Sequence, residues 1–555
     1  MKTKLLLIAL LFVQSLSACE QNGITNHEGQ TKTDPSFLYQ EPGLSPYDPP
    51  IEITFVREMS DNLEQLLNGL PDETLEDNRW SRLYKQVLGI EITYNWVDQG
   101  EQYYKKLGAA LASGNIPDVV EVNAQQLRQL ANAGWIEDLT SVYETYASSF
   151  TKQVLTQEGP GALETATIDG RLMGIPQNDS SIERAMYIWI RTDWLDQLGL
   201  LPPKSMEDVL TISKAFTEND PDRNGKHDTY GLALTYYLWD PVLSATGFMA
   251  GYDAFPRIWV EDESGKLEYG GIQPEVKTAL AVLQKMYAQG QIDNEFAFKD
   301  GVKVKKQIAA GKIGMMYGEQ WGSFVVQESR EHDPNAQWQA FPIVSAAGEI
   351  AKVPLRISTD RYWAVRKGYE HPEAIVKLFN LYLEKNWGDT AQYETYYNTL
   401  LPVWQLSPVN PFPPMKNLEA FRQLEEARKT GNSDVLEDEA KFIQEKLELY
   451  VSENEDRESG WGWERTYGPE GAMAILDQYE RNDQLLFDQF AGAPTATMID
   501  KEMILDNLQL DTYINIILGS PIDEFDQFVD EWKRIGGDQI TSEVNEWYAH
   551  QGGPS

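Results

Sequence analysis

Cysteine is nearly absent from this chain of 555 residues, because Cys19 is the only one. One cysteine can form no internal disulfide. The five histidines are scattered along the sequence, so cysteine and histidine together cannot build a zinc cluster either. Internal disulfides and a cysteine-based zinc site are therefore excluded.

Positive charge is also scarce. The 47 lysines and arginines face 86 aspartates and glutamates, which gives a formal net charge of −39 at pH 7. Such a chain is repelled by nucleic-acid phosphates and by anionic membrane surfaces, so neither is expected as a binding partner. Divalent cations are natural partners for this charge, whereas the simpler alternative is that the charge keeps the protein soluble.

Long apolar runs are missing as well. Residues 5–13 are nine consecutive apolar residues that follow Lys2 and Lys4. This run is too short to span a bilayer, which needs roughly 20 residues, but it is typical of an export signal. We therefore predict a signal peptide over residues 1–18 and no transmembrane span after it.

The tetrapeptide Leu16-Ser17-Ala18-Cys19 resembles the lipobox of bacterial lipoproteins. The resemblance implies that Cys19 receives a diacylglyceryl group and palmitate and becomes the first residue of the mature protein. Several acyl chains give stable anchoring where one would not. An ordinary secretory signal with a chance cysteine is the alternative.

Residues 19–50 are polar and rich in Gly and Pro, without a helical or strand period, which predicts a flexible tether.

The chain is long enough for two to four domain-sized units with large cores. Its first part alternates β-rich and helical patterns. Strands are predicted at 51–56, 90–97 and 118–122, and helices at 78–88, 101–112 and 125–133. This alternation indicates βαβ units with a parallel sheet. Ligands of such sheets bind beyond the carboxyl ends of the strands, where this sequence places Arg57, Trp96 and Asn123.

Four phrases follow the lipobox and tether in a characteristic order. They read ASGNIPDVVEVN (112–123), IDGRLMGIP (168–176), WIRTDWLDQLGL (189–200) and IAAGKIGMMYGEQW (308–321). Together they resemble an extracellular solute-binding lipoprotein of a bacterial ABC importer. The similarity is greatest to the large oligosaccharide-binding type, which is related to maltose- and alginate-oligosaccharide-binding proteins, and it covers about residues 51–550.

This resemblance implies an α/β fold of the periplasmic-binding-protein type, with two hinge-linked lobes and a central ligand cleft that closes on an oligosaccharide. It also implies a monomer on the extracytoplasmic face of the cell membrane, held only by its lipid anchor, with the transmembrane subunits of an ABC permease as partners. The predicted divisions after the tether are the first part of lobe 1 (51–176), the first part of lobe 2 (177–350), a return to lobe 1 (351–400) and a mostly helical C-terminal part that belongs mainly to lobe 2 (401–555).

The segment DPDRNGKHDTYG, residues 220–231, has the spacing of an EF-hand calcium loop. Calcium takes hard oxygen ligands, which an EF-hand supplies from positions 1, 3, 5, 7 and 9, with glycine at position 6. These ligands would be Asp220, Asp222, Asn224, the backbone carbonyl of Lys226, and Asp228. The turn glycine is present, but Gly231 stands at position 12 in place of the usual glutamate. We predict a structural calcium ion, with a metal-free polar turn as the alternative.

A sugar site needs aromatic rings for the apolar sugar faces and polar side chains for the hydroxyl groups. The candidates are therefore Arg57, Trp96, Asn123, Asp179, Trp239, Trp321 and Trp404. Each tryptophan has a core position as its alternative. Trp321 is the preferred candidate because Gly318 and Gly322 flank it and suggest an exposed tip. The GWGWE segment also suggests an exposed pair, Trp461 and Trp463.

No GxSxG, HExxH, Walker A or CxxC motif is present in the sequence. We therefore predict a binding protein rather than an enzyme. Two carboxylates about 5–10 Å apart suffice for a glycosidase, so a lipid-anchored polysaccharide-degrading enzyme remains the main alternative. A surface adhesin is a further one, although the sequence has no internal repeats.

Overall fold

The computed structural model describes residues 41–398, 401–452 and 455–552. The predicted signal peptide, the lipobox with Cys19 and most of the predicted tether lie outside these residues. Within the described ranges, no helix is both long enough and apolar enough to cross a membrane.

Two hydrophobic cores divide the described chain. The first core takes its side chains from residues 44–175 and 362–409, and Ala493 joins it from far along the sequence. The second core takes its side chains from residues 182–355 and 418–544. The chain therefore forms two lobes, and it passes between them through three crossing segments, residues 176–181, 356–361 and 410–417. The two-lobed α/β fold predicted from the sequence is confirmed.

The elements follow this division, numbered here in chain order. Up to the first crossing they are β1 Ile51–Glu58, α1 Asp61–Asn68, α2 Arg79–Leu88, β2 Ile90–Asp98, α3 Gly100–Ser113, β3 Val119–Val122, α4 Ala124–Ala133, α5 Thr140–Tyr146, α6 Ser149–Leu155, α7 Gly161–Thr165, β4 Thr167–Ile168, β5 Arg171–Leu172 and β6 Ile175–Gln177. Between the first and second crossings they are β7 Tyr187–Arg191, α8 Thr192–Leu198, α9 Met206–Glu218, α10 Thr246–Ala250, β8 Trp259–Glu261, β9 Leu267–Tyr269, α11 Pro274–Ala288, α12 Gly301–Ala309, β10 Met315–Gly318, α13 Gly322–His332, β11 Trp338–Phe341 and β12 Val353–Leu355.

The chain then returns to the first lobe with β13 Arg361–Val365, α14 Ala374–Trp387 and α15 Tyr393–Tyr396. After the third crossing come α16 Lys416–Thr430, α17 Asp438–Val451, α18 Trp461–Tyr467, α19 Ala472–Arg481, β14 Leu485–Phe487, α20 Ala496–Leu518, α21 Glu524–Trp532 and α22 Asp538–His550. The residue limits that the sequence analysis gives to each lobe stay predictions. In the structure Val403, Leu406 and Val409 pack in the first core, and Val353 and Leu355 pack in the second.

Local sequence signals explain the first β-α-β unit. Asn78 caps α2 by accepting hydrogen bonds from the backbone amides of Trp80 and Ser81, and the Ser81 hydroxyl accepts one from the Asn78 amide in return. Gly89 ends the helix in the left-handed conformation, with φ of 66°. The chain then enters β2, which pairs in parallel with β1 from the Ile51–Ile90 pair onward, as the alternation of patterns predicts.

The third strand departs from the expected parallel sheet. β3 pairs with β13, and β13 also pairs with β6, in both cases antiparallel. The physical reason is that β13 arrives from the other lobe, 239 positions after the end of β3, so local alternation cannot set its direction. A side-chain bridge ties β1 to the start of β3, because the Asp118 carboxylate accepts from the Thr54 amide at 3.0 Å and from its hydroxyl at 2.7 Å.

Hydrogen bonds join the crossing segments to each other. The Asp179 amide donates to the Ser358 carbonyl at 2.9 Å, and the Ser358 amide donates to the Ser181 hydroxyl at 3.1 Å. Arg184 donates from Nε to the Ser358 hydroxyl at 2.7 Å. Ser358 and Ser181 are both buried, so these bonds are shielded from water. The first and second crossings therefore form one connected unit, which we call the hinge.

Candidate functional site in the cleft between the lobes

The strand ends next to the hinge mark the floor of the cleft. In the first lobe Gln177, the last residue of β6, faces Arg361, the first residue of β13. In the second lobe Gly318, the last residue of β10, faces Tyr187, the first residue of β7. Because the crossing segments connect the lobes next to these strand ends, the side chains that follow the strands border the space between the lobes.

Glu319 and Trp321 follow β10 directly and interact with each other. The indole Nε1 of Trp321 donates to Glu319 Oε2 at 2.8 Å. Glu319 is only 8% exposed. Burial raises the pKa of Glu319 to about 7, although the indole hydrogen bond and Arg184 act in the opposite direction, and Asp179 adds to the rise. The site therefore contains a carboxyl group that is partly protonated at neutral pH.

Asp179 and Arg184 connect this site to the hinge. The Arg184 guanidinium lies 2.9 Å from Asp179 Oδ2, and Asp179 Oδ1 also accepts from the Ser180 amide at 3.0 Å. Both groups act electrostatically on Glu319. Of the residues selected from the sequence, Asp179 and Trp321 are therefore brought together, with Glu319 and Arg184 between them. Sequence reasoning missed Glu319, although it lies inside the quoted phrase at 308–321.

Trp321 does not form the exposed tip expected from its glycines. Its ring is half-buried against the second core, and the residue caps the start of α13. The glycines serve close packing instead. A Cβ at Gly318 would lie 3.0 Å from Val242, and one at Gly322 would lie 2.6 Å from the Trp189 indole nitrogen. A half-buried ring retains one face for a ligand, so Trp321 stays a candidate.

The expected exposed pair in GWGWE is wrong for Trp461, which is fully buried. Gly462 permits this packing, because a Cβ there would lie 2.5 Å from the Gln327 side chain of α13. Trp463 is half-buried and packs edge-on against Phe324.

An aromatic segment extends the second-lobe surface away from the hinge. Trp239 is half-buried and packs edge-on against Tyr513, with ring centroids 5.8 Å apart. Its neighbours Tyr236 and Tyr237 are 48% and 36% exposed. The Glu319 amide donates to the Pro241 carbonyl at 2.9 Å, which places this segment beside the carboxyl site. The run TYYLWD at 235–240 was the available sequence signal for the two tyrosines.

The first-lobe candidates have mixed roles. Arg57 donates to the backbone carbonyls of Gln405 at 2.7 Å and Ser407 at 2.8 Å, so its guanidinium holds the loop that carries Trp404. Trp404 is half-buried and stacks on Tyr397 with ring centroids 6.3 Å apart. Arg57 is therefore a positioning residue in this structure, whereas the Trp404 ring borders a surface.

Trp96 and Asn123 also have partners within the first lobe. Trp96 is half-buried, with the Tyr103 ring 5.5 Å away and the Lys106 ammonium 4.6 Å from its centroid. Asn123 is exposed, but its side-chain oxygen accepts from the Gln126 amide at 2.9 Å and caps α4. The oxygen of Asn123 is thus engaged in holding the helix.

Glu121 is a further first-lobe group that sequence reasoning missed. It lies on β3 opposite Trp363, and burial raises its pKa, while Arg361 and Arg57 act in the opposite direction. Its alternation with the buried Val120 and Val122 on a short strand offered a weak signal that it faces away from the core.

The predicted calcium loop folds on itself through its acidic side chains. Asp220 accepts from the amides of Asn224 at 3.1 Å and Gly225 at 3.0 Å, and Gly225 has φ of 75°. The Asn224 amide group donates to Asp222 at 2.7 Å and to Asp228 at 3.0 Å. The turn predicted from the sequence is therefore present.

Lys312 enters this loop from outside. Its ammonium lies 2.6 Å from Asp228 Oδ2 and 3.6 Å from Asp222 Oδ2. Burial raises the pKa of Asp222, and a hydrogen bond with Asp220 adds to the rise. The donor set consists of hard oxygens, which fits calcium. Across the described residues, however, no group of three or more His, Cys, Asp or Glu side chains is arranged to hold a metal ion.

Replacing Glu319 by glutamine is expected to stabilise the protein increasingly as the pH rises. The pKa of Glu319 is raised in the folded state, so the stability associated with its protonated form is complete near pH 4.5 and is lost as the pH rises through about 7. Because glutamine does not ionise, the free energy of unfolding of E319Q minus that of the wild type should grow by on the order of 1–3 kcal/mol between pH 5 and pH 8. Urea unfolding at four pH values measures this difference, and a constant difference would contradict the assignment.

Comparison with known proteins identifies the family. A sequence model of the bacterial extracellular solute-binding proteins matches residues 70–387. Lipoprotein LipO of Bacillus subtilis is 25% identical over 493 residues, which are 86% of this chain and 90% of that protein. The polygalacturonan/rhamnogalacturonan-binding protein YtcQ of the same organism is 28% identical over 237 residues, which are 42% of this chain and 45% of that protein.

A solved structure shows the same fold. It is the Streptococcus pneumoniae ABC-transporter substrate-binding protein FusA, an EF-hand mutant in complex with fructo-nystose, with a TM-score of 0.58 and 16% identity over 90% of this chain and 99% of that one. Since the family model covers more than half of the sequence, the chain belongs to the bacterial extracellular solute-binding protein family.

Proposed function

We propose that this protein captures an oligosaccharide outside the cell and delivers it, by closure of its two lobes, to the transmembrane subunits of an ABC permease. The observation that carries this proposal is the position of the Trp321 ring and its polar neighbours. They lie at the hinge end of the cleft. In the second lobe they follow β10, whose last residue pairs with the first residue of β7. Ring faces and nearby polar groups are what sugars require.

The names of the relatives support a carbohydrate ligand. YtcQ is named for polygalacturonan and rhamnogalacturonan binding, and the FusA structure contains fructo-nystose. At these levels of identity the names indicate a ligand class and leave the particular sugar open. They also favour a binding protein over an adhesin.

Closure requires a ligand that contacts both lobes. A ligand that touches one lobe alone has no differential affinity for the closed form and shifts nothing. Here Trp321 and Asp179 approach the cleft from the second lobe and the hinge, whereas Trp404 and Trp96 belong to the first lobe. Simultaneous contact with Trp321 and a first-lobe ring is therefore the proposed trigger of hinge closure.

We propose that the ligand is bound without being cleaved. Glu319 and Asp179 form a carboxylate pair within electrostatic range, which is the feature that a glycosidase would need. Asp179, however, is held by Arg184, and both relatives with descriptive names are named as binding proteins. Incubation with oligosaccharides followed by chromatography tests this point, because released products would support the enzyme instead.

Replacing Trp321 by alanine is expected to weaken oligosaccharide binding by on the order of 1–3 kcal/mol, because ring-face contact is lost. The matched control is W321F, which keeps a ring but loses the indole donor to Glu319. Calorimetry on a sugar that stabilises the wild type measures the affinities. A ligand present at 100 times its Kd stabilises the folded state by about 2.7 kcal/mol, so suitable sugars are found by thermal shift.

W321F should retain most of the affinity that W321A loses. If W321A folds and binds as tightly as the wild type, Trp321 is not part of the site. If no oligosaccharide shifts the melting temperature of the wild type, the proposed function itself fails.

The family and the lipobox-like segment both support a location on the outer face of the cell membrane. LipO is named a lipoprotein, and we propose that this chain is likewise tethered to the cell membrane through Cys19. The C19S variant is expected to appear in the culture medium instead of the membrane fraction. A control substitution, S17A, should remain in the membrane fraction. Membrane retention of C19S would contradict lipid anchoring at this residue.

We propose a structural calcium ion in loop 220–231, held by the oxygens of Asp220, Asp222, Asn224, Asp228 and the Lys226 carbonyl. The EF-hand named for FusA supports this site in a relative. Calcium would have to displace the Lys312 ammonium from Asp228, since both compete for the same carboxylate.

Removing Asp220 is therefore expected to abolish the rise in melting temperature that calcium gives over chelator. Differential scanning fluorimetry of D220A with calcium and with EDTA measures this increment. K312Q should increase the increment, because the competing cation is removed. An equal loss of stability for D220A in both buffers would show damage to the loop alone, with no bound calcium.

A further inference from the structure

Acidic side chains lie at several places along the border of the cleft. Acidic groups near the hinge and strand ends include Glu121, Asp179, Asp240, Glu319 and Asp360, and Glu502 on α20 interacts electrostatically with Arg356 of the second crossing. Helix α20, which carries Glu502, reaches the first lobe, because Gln125 Nε2 lies 3.4 Å from the Ile499 carbonyl. An anionic sugar needs a cation that is free to receive it, so the partners of the cations decide what the cleft accepts.

The arginines nearest the hinge already have partners. Arg184 is held by Asp179 and Ser358. Arg57 is held by two backbone carbonyls. Arg257 lies 3.2 Å from Asp506 and is largely shielded from solvent. Arg184 and Arg57 each already donate from two nitrogens, and Arg257 donates from Nη1 to Asp506.

The second crossing segment contributes two more arginines, and each of them faces acids. Arg361 lies 3.9 Å from Asp360 and acts on Glu121. Arg356 is exposed, and it acts electrostatically on Asp488 and on Glu502. A carboxylate placed beside either arginine would therefore also meet the negative charges that surround it.

At the Trp321 ring, Glu319 determines the balance of positive and negative charge. The carboxyl group accepts the indole hydrogen bond at 2.8 Å, so it lies at the edge of the same ring that offers a face to the sugar. Lys305 is the cation on this ring, 5.5 Å from its centroid, and it also acts on Asp240. The ring thus has the Lys305 ammonium near its face and the Glu319 carboxyl group at its edge, and Asp179 acts electrostatically on Glu319.

We infer that the cleft selects uncharged oligosaccharides and rejects uronic-acid oligosaccharides, with Glu319 as the residue that determines this selection. The inference rests on the proposed function and narrows its ligand class. A sugar ring stacked on Trp321 would place its substituents beside Glu319, where a hydroxyl group finds a hydrogen-bond partner and a carboxylate finds a like charge in a poorly hydrated site.

The first experiment compares matched ligands at pH 8, where Glu319 is ionised. Oligogalacturonates and oligoguluronates are tested beside their carboxyl-reduced counterparts and a panel of fructo-, gluco- and manno-oligosaccharides, by thermal shift and then calorimetry. We expect at least one uncharged oligosaccharide to bind, and each uronate to bind at least ten-fold more weakly than the best uncharged ligand.

The outcomes separate the two proposals. A uronate that binds more tightly than every uncharged sugar would overturn the selection while it supports sugar capture. Binding of neither class would overturn sugar capture and the selection together.

The second experiment tests Glu319 itself. E319Q keeps the shape and the acceptor for the indole but removes the charge, so uronate affinity at pH 8 should rise at least ten-fold, or from undetectable to measurable. The affinity for the uncharged ligand is measured in the same variant and should not show this rise. The matched control is E263Q, which removes the same charge from an exposed residue in the β8–β9 turn of the same lobe and should change neither affinity. No gain of uronate binding in E319Q, or an equal gain in E263Q, would overturn the assignment.

Discussion

The hydrogen bonds around Ser358 are the constraint on which the two-lobed arrangement depends. Ser358 accepts from the Asp179 amide, donates to the Ser181 hydroxyl, and accepts from Arg184 through its own hydroxyl. Each such bond contributes about 0.5–1.5 kcal/mol net, but leaving a buried partner unsatisfied costs about 1–3 kcal/mol. Because the first and second crossings are tied to each other, a relative movement of the lobes that keeps these bonds has to turn about this unit.

The same unit sets the electrostatics of the candidate site. Arg184 is oriented by Ser358 toward Asp179, so its charge only partly offsets the burial of Glu319. Burial of a carboxyl group that loses its water and keeps only one hydrogen-bond donor, an indole, is by itself unfavourable for folding. Perturbed groups of this kind concentrate at functional sites, and here the perturbation follows from named contacts at the hinge end of the cleft.

Sequence reasoning succeeded where structure is decided locally. The alternation that predicts β1, α2 and β2 is confirmed because the Asn78 cap, the Gly89 stop and the apolar strand residues all act within a few positions. It failed where partners come from far away. The direction of β13 depends on a return from the other lobe, and no local pattern encodes it.

The candidate site shows the same limit. Aromatic residues are visible in a sequence, so Trp321 could be selected, but its flanking glycines fit two situations equally well. They permit an exposed tip, or they permit close approach of Val242 and the Trp189 ring, as found. Likewise Arg57 at a strand end suggested a ligand contact, whereas its position beside two carbonyls of a distant loop emerges only from the fold.

The chain's overall charge and the acids of the cleft act on a ligand over different distances. A net charge of −39 is spread over a surface where salt screens interactions beyond about 8 Å at physiological ionic strength. It slows the approach of any polyanion without distinguishing where a carboxylate lies within the bound sugar. Glu319 acts at contact distance, in a site where burial already disfavours its own charge. Discrimination between a hydroxymethyl group and a carboxylate at one ring position therefore has to come from this local arrangement and not from composition, which is why a single glutamine substitution can separate the two effects.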